Sequence, residues 1–303
     1  MGSLRRKLCT RRTLPSGSDK LESPHWMAIH LEMPFRIVQS AQNSRLKELR
    51  RALRAPGHTA GGLIGIEGPH LLEEALRAGL RVHCAFAGDG FQHWLAQLPL
   101  AADTETLAVP KSILTSTFVT DTPQPVAALI DPPQWTWADL LGPAELAPFV
   151  VVLAEVQDPG NLGTILRSAE AFGAAGIVSL PGTVSPWNQK AMRASAGSVF
   201  RLPVIAATAE ECFSRLREAG VKVLTTAVHD GIPADDVDLS GATALLIGNE
   251  GNGVPDEIAA QANGAVTIPC PGPVESLNAS VAAGVLLYEA SRQRRAAASR
   301  RSR

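Results

Sequence analysis

Hydrophobic and polar positions repeat along this chain with two periods. Short apolar runs predict buried strands, and apolar positions three and four residues apart predict helices with one buried face. The first half predicts helices at 44–54, 70–79, 91–98 and 111–116 and strands at 62–68, 81–87, 105–110 and 125–131. The second half predicts strands at 149–155, 176–180, 203–206, 221–226, 243–248 and 265–268 and helices at 161–173, 188–195, 208–219, 255–261 and 276–295. Each alternating series predicts an α/β unit, the second with a mostly parallel sheet.

Four prolines in residues 132–148 interrupt the alternation and indicate a linker. The Arg-rich start with few acids predicts disorder; it is also typical of a transit peptide, or of an upstream extension if the true start is Met27 or Met33. The predicted division is a disordered extension at 1–34, a first α/β domain at 35–131, a linker at 132–148, a second α/β domain at 149–293 and a basic tail at 294–303.

Composition narrows the class of protein. The 303 residues are 45% hydrophobic and 19% charged, as in soluble globular proteins, and no apolar run reaches the roughly 20 residues of a membrane helix. Because the four cysteines are scattered without a CxxC pair, we expect neither a zinc site nor a disulfide framework. A reducing cytoplasm is the expected compartment.

The net charge of −1 hides an uneven distribution. Residues 1–55 carry twelve Lys and Arg against four Asp and Glu, and the tail from Arg292 carries six Arg and no acid. Basic ends on an acidic body predict local contact with a polyanion, although frayed, solvated tails have the same composition.

The first of three polar clusters is "QDPGNLGTILRSAEAFG" (157–173), which joins a predicted strand to a helix. Arg167 lies about 140° around the helix from Leu162 and so away from its apolar stripe. Taken alone, Asn161 is interpreted as a helix cap and Arg167 as a solvated side chain.

The second cluster is "IGNEGNGVP" (247–255), where a buried strand ends at Gly248. Its glycines allow positive φ or close approach of a ligand to the backbone. It is neither a Walker loop nor a GxGxxG fingerprint, and Glu250 would repel a phosphate. A tight strand-to-helix turn is the simpler interpretation.

The third cluster is "IPCPGPVESLNASVAAGVLLYE" (268–289), in which a Pro-rich loop leads into a helix predicted to start near Ser276. Ser276 and Asn278 are both suited to cap that helix.

Together, and in this order, the three segments resemble the motifs of the SpoU (TrmH-type) RNA ribose 2′-O-methyltransferases, of the knotted methyltransferase superfamily. The resemblance is strong over 149–293, and residues 37–131, with "GIEGPHLLEEAL", are similar to the kink-turn-type substrate-binding domain often found ahead of it. The resemblance implies transfer of a methyl group from S-adenosylmethionine to a ribose 2′-hydroxyl, without a metal.

The leading domain favours ribosomal RNA as the substrate. A tRNA methyltransferase and a non-catalytic RNA-binding protein of this fold remain alternatives. A dehydrogenase is disfavoured because no GxGxxG follows the first strand of either unit.

The resemblance also implies an α/β fold with a C-terminal trefoil knot, homodimerisation through the knotted domain, and a set of site residues. The matching catalytic residue is Arg167, expected to grip a phosphate and stabilise alkoxide charge, while the proton passes to phosphate, water or a transiently neutral guanidine. Glu250 would pair with Arg167 or orient the substrate. The full catalytic set is Arg167, Asn161, Glu250, Ser276 and Asn278. The matching cofactor positions are Gly248, Ile268, Leu277 and nearby Thr226. From its charge, the helix at 44–54 is the expected RNA contact, through Arg45, Lys47, Arg50, Arg51 and Arg54.

Overall fold

The computed structural model describes residues 35–54, 59, 61–120, 123–143, 147–273 and 276–301. They belong to one compact unit, Pro34–Arg303. The predicted disordered extension at 1–34 lies outside the described residues. No helix of the described part is long and apolar enough to cross a membrane.

The leading domain is built on a five-stranded mixed sheet with the strand order β1-β4-β3-β5-β2. Its elements are β1 (Arg36–Ile37), α1 (Ser44–Arg54), β2 (Ile64–Glu67), α2 (Pro69–Arg77), β3 (Val82–Ala87), α3 (Gln92–Ala96), β4 (Glu105–Ala108), α4 (Lys111–Thr115) and β5 (Val126–Ile130). Strand β4 pairs in parallel with β1 and β3, whereas β5 runs antiparallel to β2 and β3. Every predicted element of this half is confirmed; the two-residue β1 was not predicted.

Helix α1 lies directly on the edge strand β2. Its apolar positions are all buried, namely Leu46, Leu49, Ala52 and Leu53. The contact is close because β2 has no side chain at Gly65, where an added Cβ would lie 2.9 Å from the Cβ of Ala52. The predicted helix at 44–54 therefore has the predicted bounds and the predicted buried face.

A short helix, α5 (Trp137–Leu141), lies within the segment predicted as a linker. Thr136 and Asp139 form a reciprocal capping box: the Asp139 amide donates to Thr136 Oγ1 at 3.3 Å, and the Thr136 amide donates to Asp139 Oδ2 at 2.8 Å. Leu140 is buried against the second sheet. Its five residues are too few to show a helical period, so the prolines around it predicted a linker.

The second domain is a seven-stranded sheet in which every strand pair is parallel, which confirms the predicted fold class. The strand order is β10-β12-β9-β11-β6-β7-β8. Its elements are β6 (Phe149–Leu153), α6 (Pro159–Ala171), β7 (Gly176–Ser179), α7 (Gln189–Ser195), β8 (Val204–Ala206), α8 (Ala209–Glu218), β9 (Lys222–Thr226), β10 (Ile232–Pro233), β11 (Thr243–Ile247), α9 (Asp256–Ala259), β12 (Gly264–Thr267) and α10 (Ala279–Arg301).

Alternate residues of β6 face two different apolar layers. Phe149, Val151 and Leu153 belong to the core shared with α6, α7 and α10, whereas Val150 and Val152 belong to the core shared with α8. The first of these cores continues into the leading domain, where it includes buried residues of β2, α2, β3 and β5. Helices α6 and α8 therefore lie on opposite faces of the sheet, and one apolar core spans both domains.

Polar contacts also join the domains. The side chain of Gln189 on α7 donates to the carbonyl of Gly65 on β2 at 2.8 Å. Arg201 donates to Glu74 of α2 and, in a bidentate arrangement, to Glu170 of α6, with Nε–Oε1 and Nη2–Oε2 distances of 2.6 and 3.0 Å. The leading domain is thus fixed against the two helices that begin the second domain.

Candidate active site

Helix α6 begins two residues earlier than predicted, and Asp158 is its N-cap. Asp158 Oδ1 accepts from the Asn161 amide at 2.9 Å, and Lys190 Nζ lies 2.9 Å from Asp158 Oδ2. The hydrogen bond from Lys190, followed by that from the Asn161 amide, lowers the pKa of Asp158. The interpretation of Asn161 as the cap is therefore wrong, and its side chain is free for another role.

The carboxamide of Asn161 joins the three sequence motifs. Its Nδ2 donates to the carboxylate of Glu250, which follows β11. Its Oδ1 accepts from Nδ2 of Asn278 at 3.2 Å. Both ends of the amide are occupied, which fixes its orientation. Three of the five predicted catalytic residues thus form one polar cluster.

Asn278, and not Ser276, caps α10. Asn278 Oδ1 accepts from the amides of Ser280 and Val281 at 2.9 and 3.3 Å and from the Ser280 hydroxyl at 2.7 Å. The helix therefore begins at Ala279, and the predicted start at residue 276 was wrong by three residues. Ser276 is exposed and lines the neighbouring cavity.

Arg167 is exposed on α6, six residues beyond Asn161. Within the residues that the structure describes, its side chain forms no hydrogen bond or ion pair, and it does not line the cavity. Of the two roles predicted for Glu250, the ion pair with Arg167 is not formed; Glu250 accepts from Asn161. The guanidinium is therefore available to a ligand that approaches from solvent.

A cavity of about 860 Å³ opens beside the polar cluster. Its walls come from the segments after β9, β11 and β12 and from the start of α10. Ligands of parallel α/β sheets bind outside the carboxyl ends of the strands, which is where these segments lie. All four predicted cofactor positions line this cavity, namely Gly248, Ile268, Leu277 and Thr226.

The loop after β11 folds back on itself at Gly248. Asn249 and Gly253 exchange backbone hydrogen bonds of 2.9 Å, and a Cβ at Gly248 would lie 2.1 Å from the carbonyl carbon of Gly253. The Asn249 side chain ties this loop to the end of β6, since its Nδ2 donates to the carbonyl of Glu155 at 2.9 Å. Sequence reasoning missed Asn249, although an asparagine in a Gly-rich turn is a signal of such side-chain-to-backbone bonds.

The predicted RNA-contact residues on α1 are not equivalent. Lys47, Arg51 and Arg54 are exposed and Arg50 is half-buried. Arg45 is engaged within the domain, with its Nε 2.7 Å from Glu105 and its Nη1 3.0 Å from Glu48. These hydrogen bonds, Glu105 first, raise the pKa of Arg45. Arg45 therefore anchors α1 to β4, although its side chain is 40% exposed, and its contact with RNA stays a prediction.

Part of the predicted basic tail is also engaged. Arg294 donates to the backbone carbonyls of Ala147, Leu239 and Gly241, and its guanidinium lies 4.9 Å from the ring centroid of Phe149. Burial lowers its pKa. Arg294 thus fixes α10 to the amino ends of β6 and β11. Within the described part of the chain, no group of three His, Cys, Asp or Glu side chains is placed to bind a metal ion.

Comparison with known proteins matches both domains. The SpoU rRNA Methylase family model matches residues 148–288, and the MRM3-like substrate binding domain model matches residues 43–128. The 23S rRNA (guanosine(2553)-2′-O)-methyltransferase RlmP of Bacillus subtilis (strain 168) is 32% identical over 255 residues, which cover 83% of this chain and 97% of that protein.

Two solved structures share the fold over most of this chain. The AdoMet-bound rRNA methyltransferase from Sinorhizobium meliloti has a TM-score of 0.74 and 30% identity, covering 85% of this chain and 98% of that one. The SpoU methyltransferase AviRb from Streptomyces viridochromogenes, in complex with AdoMet, has a TM-score of 0.72 and 27% identity, covering 84% and 98%. The resemblance carried by the three motifs is confirmed, and the chain belongs to the SpoU family of RNA methyltransferases.

Proposed function

We propose that this enzyme transfers a methyl group from S-adenosylmethionine to a ribose 2′-hydroxyl of ribosomal RNA. The observation that carries the proposal is the hydrogen-bonded cluster of Asn161, Glu250 and Asn278 at the rim of a cavity that holds every predicted cofactor position. The leading domain, docked beside α6, supplies a basic helix for a substrate larger than a single nucleotide.

The cavity suits the proposed cofactor. Its volume lies within the ~300–1,000 Å³ of small-molecule sites. The Thr225 hydroxyl at its wall is buried and has no hydrogen-bond partner among the described residues. Asp230, Glu250 and Asp256 also line the cavity and favour a ligand that carries positive charge, as a sulfonium does. Gly248, Ile268 and Leu277 would pack against the adenine, leaving its polar edge to backbone groups.

The protein's task is to activate the hydroxyl. When bound, S-adenosylmethionine supplies a methyl group that its sulfonium already activates. The 2′-oxygen would accept that methyl group as the C–S bond breaks, and the hydroxyl proton would leave to water or to a phosphate oxygen. The Asn161 carboxamide, held by Glu250 and Asn278, would orient the ribose or Arg167 for this step.

Arg167 would bind the phosphate beside the target ribose and stabilise the charge that develops on the 2′-oxygen. A guanidinium stays protonated in proteins, so we assign it an electrostatic role rather than that of a base. Its side chain is exposed and has no protein partner among the described residues, so the guanidinium is available to bind RNA.

The test is Arg167→Ala. We expect methyl transfer to fall at least ~100-fold, as for a lost transition-state contact, with the dissociation constant for S-adenosylmethionine unchanged in calorimetry. Arg215→Ala, on the opposite face of the sheet, is the matched control and should retain activity. Near wild-type transfer by the Arg167 variant would refute the role.

The RNA target is tested by mapping ribose 2′-O-methylation in total RNA with and without the gene. Loss of one ribosomal site supports the proposal, whereas loss of a tRNA site would favour the alternative substrate. No lost site, combined with retained RNA binding, would favour the non-catalytic alternative.

Helix α1 is the proposed RNA contact of the leading domain, through Arg45, Lys47, Arg50, Arg51 and Arg54. Replacing Arg50 and Arg51 by Glu should weaken RNA binding and flatten its dependence on salt, because fewer counterions are then released. An unchanged salt slope would contradict this contact.

A second copy of the chain is the proposed occupant of an apolar stripe on α10. Val281, Val285 and Tyr288 follow helical spacing and are 51%, 41% and 50% exposed. The stripe begins three residues after Asn278, so a dimer formed there would bring a partner close to the active site. The stripe continues at Phe172, the C-cap of α6, whose ring packs edge to face against that of Tyr288 with 5.8 Å between the centroids.

Light scattering tests the dimer. Val285→Glu should convert it to a monomer, whereas Val119→Glu, at a somewhat more exposed valine of the leading domain, should leave it intact. A wild-type monomer at micromolar concentration would contradict the assignment.

The trefoil knot also remains a proposal, supported by the convergence of the loops after β9, β11 and β12 on one cavity. A cytoplasmic location is proposed in keeping with the free thiols of Cys84 and Cys212.

A further inference from the structure

Helix α7 lies in the crease between the two domains. Gln189, at its start, donates to the carbonyl of Gly65 in the leading domain at 2.8 Å. Gly197, just after its end, lies so close to Glu74 of α2 that an added Cβ would be 2.6 Å from the Glu74 Cβ. Arg193 follows Gln189 by four residues and so lies on the side of α7 that meets the leading domain.

Arg193 is nevertheless exposed. Among the described residues it forms no hydrogen bond and no ion pair, whereas its neighbour Lys190 is paired with Asp158 at 2.9 Å. Its positive charge acts on Glu67 at the end of β2. Burial raises the pKa of Glu67, and the positive charge of Arg193 acts in the opposite direction. Arg193 therefore places an exposed positive charge at the crease between the two domains.

The contacts of α7, the helix that carries Arg193, link it to both elements proposed to bind RNA, namely α1 and α6. Gly65, which accepts from Gln189, is also the residue against which Ala52 and Leu53 of α1 pack, and Arg51 and Arg54 flank that pair. On the other side, α7 packs tightly on α6, where a Cβ at Gly163 would lie 2.4 Å from the carbonyl oxygen of Ala191. Arg167 follows Gly163 by one helical turn.

Exposed cations therefore lie on α1, α7 and α6. Helices α1 and α7 both contact Gly65 of β2, and α7 packs on α6. We propose that Arg193 contacts a backbone phosphate of the RNA segment that runs from α1 to Arg167. The inference rests on the proposed function and deepens it, because it assigns the path of the substrate across the domain junction. Phosphate is the chemical group that exposed arginines in such a row recognise irrespective of sequence.

The test compares the full-length wild type with Arg193→Gln. For each, the affinity for large-subunit ribosomal RNA transcribed in vitro is measured at several salt concentrations. We expect the dissociation constant to rise roughly threefold to tenfold and the slope of log K against log salt to shrink by about 0.7–0.9, the value for one lost phosphate contact. Affinity for S-adenosylmethionine should not change. Arg193→Lys keeps the charge and should restore most of the slope.

Arg217→Gln is the matched control, since Arg217 is an exposed arginine on α8, on the opposite face of the sheet. An unchanged slope for Arg193→Gln, or an equal loss for Arg217→Gln, would overturn the inference.

A purely structural role for Arg193, compensating Glu67, predicts a different result. In that case Arg193→Gln would lower the melting temperature, the double variant with Glu67→Gln would recover it, and the slope would stay at the wild-type value. Under the proposal, the slope stays reduced in the double variant. If Arg167→Ala abolishes methyl transfer while Arg193→Gln changes nothing, only this inference fails; if wild-type chain neither binds nor methylates RNA, the proposed function fails with it.

Discussion

The carboxylate of Glu74 in the leading domain accepts a hydrogen bond from Arg201 of the methyltransferase domain, although the Glu74 side chain is only 9% exposed. Burial alone would raise the pKa of Glu74, but the hydrogen bonds and charges of Arg201 and Arg77 outweigh it, and the pKa is lowered. Because Arg201 also grips Glu170 on α6, the leading domain and the helix that carries Arg167 are held by one guanidinium.

A double-mutant cycle of Glu74→Gln and Arg201→Gln should give a coupling free energy of about 1–2 kcal/mol, in the range for residues that share a hydrogen-bond network. Urea unfolding of the four proteins measures it. The exposed pair of Arg215 and Glu218 is the control and should couple by less than about 0.5 kcal/mol. Equal coupling in the two cycles would mean that Glu74 and Arg201 do not hold the domains together.

The stability given by this contact should depend on pH. The hydrogen bond from Arg201 is the largest cause that lowers the pKa of Glu170 below its ordinary value of 4.5. A carboxyl whose pKa is lowered on folding stabilises the protein above its unfolded pKa, and that contribution is lost as the pH falls through the folded value. The difference in unfolding free energy between wild type and Arg201→Gln should therefore be constant near neutral pH and shrink below about pH 4.5. A difference that grows on acidification would contradict this assignment.

Two residues at the start of α6, three positions apart, should have separable roles. Asp158→Ala removes the helix cap and should cost about 1 kcal/mol in unfolding free energy. Asn161→Ala keeps the cap but removes the link to Glu250 and Asn278. It should lower methyl transfer by about 100-fold through loss of orientation, with little change in stability. The test is to measure the free energy of unfolding and the rate of methyl transfer for both variants. The reverse pattern would show that Asn161 is structural.

Gly248 and Gly251 of the same loop should respond differently to alanine. A Cβ at Gly248 would lie 2.1 Å from a backbone carbon, whereas at Gly251 the nearest atom is the Asn249 side-chain oxygen at 3.4 Å. Gly248→Ala must displace the loop and should weaken S-adenosylmethionine binding by at least about tenfold, since overpacking costs ~1–3 kcal/mol. Gly251→Ala should bind nearly as wild type. Calorimetry measures the affinity of each variant for S-adenosylmethionine, and equal affinities of the two variants would exclude Gly248 from the cofactor site.

The sequence predicted those parts of the fold that local physics determines. Helix α1 was predicted with its observed bounds, since its leucines follow one helical face. The helix in the Pro-rich segment was missed, although Thr136 and Asp139 carried a capping signal, because five residues are too few to show a period. The two-residue strands β1 and β10 were missed for the same reason.

The composition of the site followed from three motifs taken together, but its contacts did not. A helix wheel cannot show that Asp158 takes the cap and so releases Asn161, nor that Glu250 meets Asn161 instead of Arg167. Such choices depend on where segments far apart in the chain meet. For Arg45 and Arg294, charge alone predicted contact with a polyanion, whereas carboxylates and carbonyls elsewhere in the fold engage them.

Asn161 and Asn278 are 117 residues apart in the chain and meet in one hydrogen bond. During synthesis, α6 can fold on β6 long before the segment that carries Asn278 leaves the ribosome. Contacts of such high sequence separation form late in folding. A chain interrupted between these two positions would keep much of its helix and still lack a complete site. Catalytic activity, unlike helix content, therefore reports whether the whole domain has finished folding.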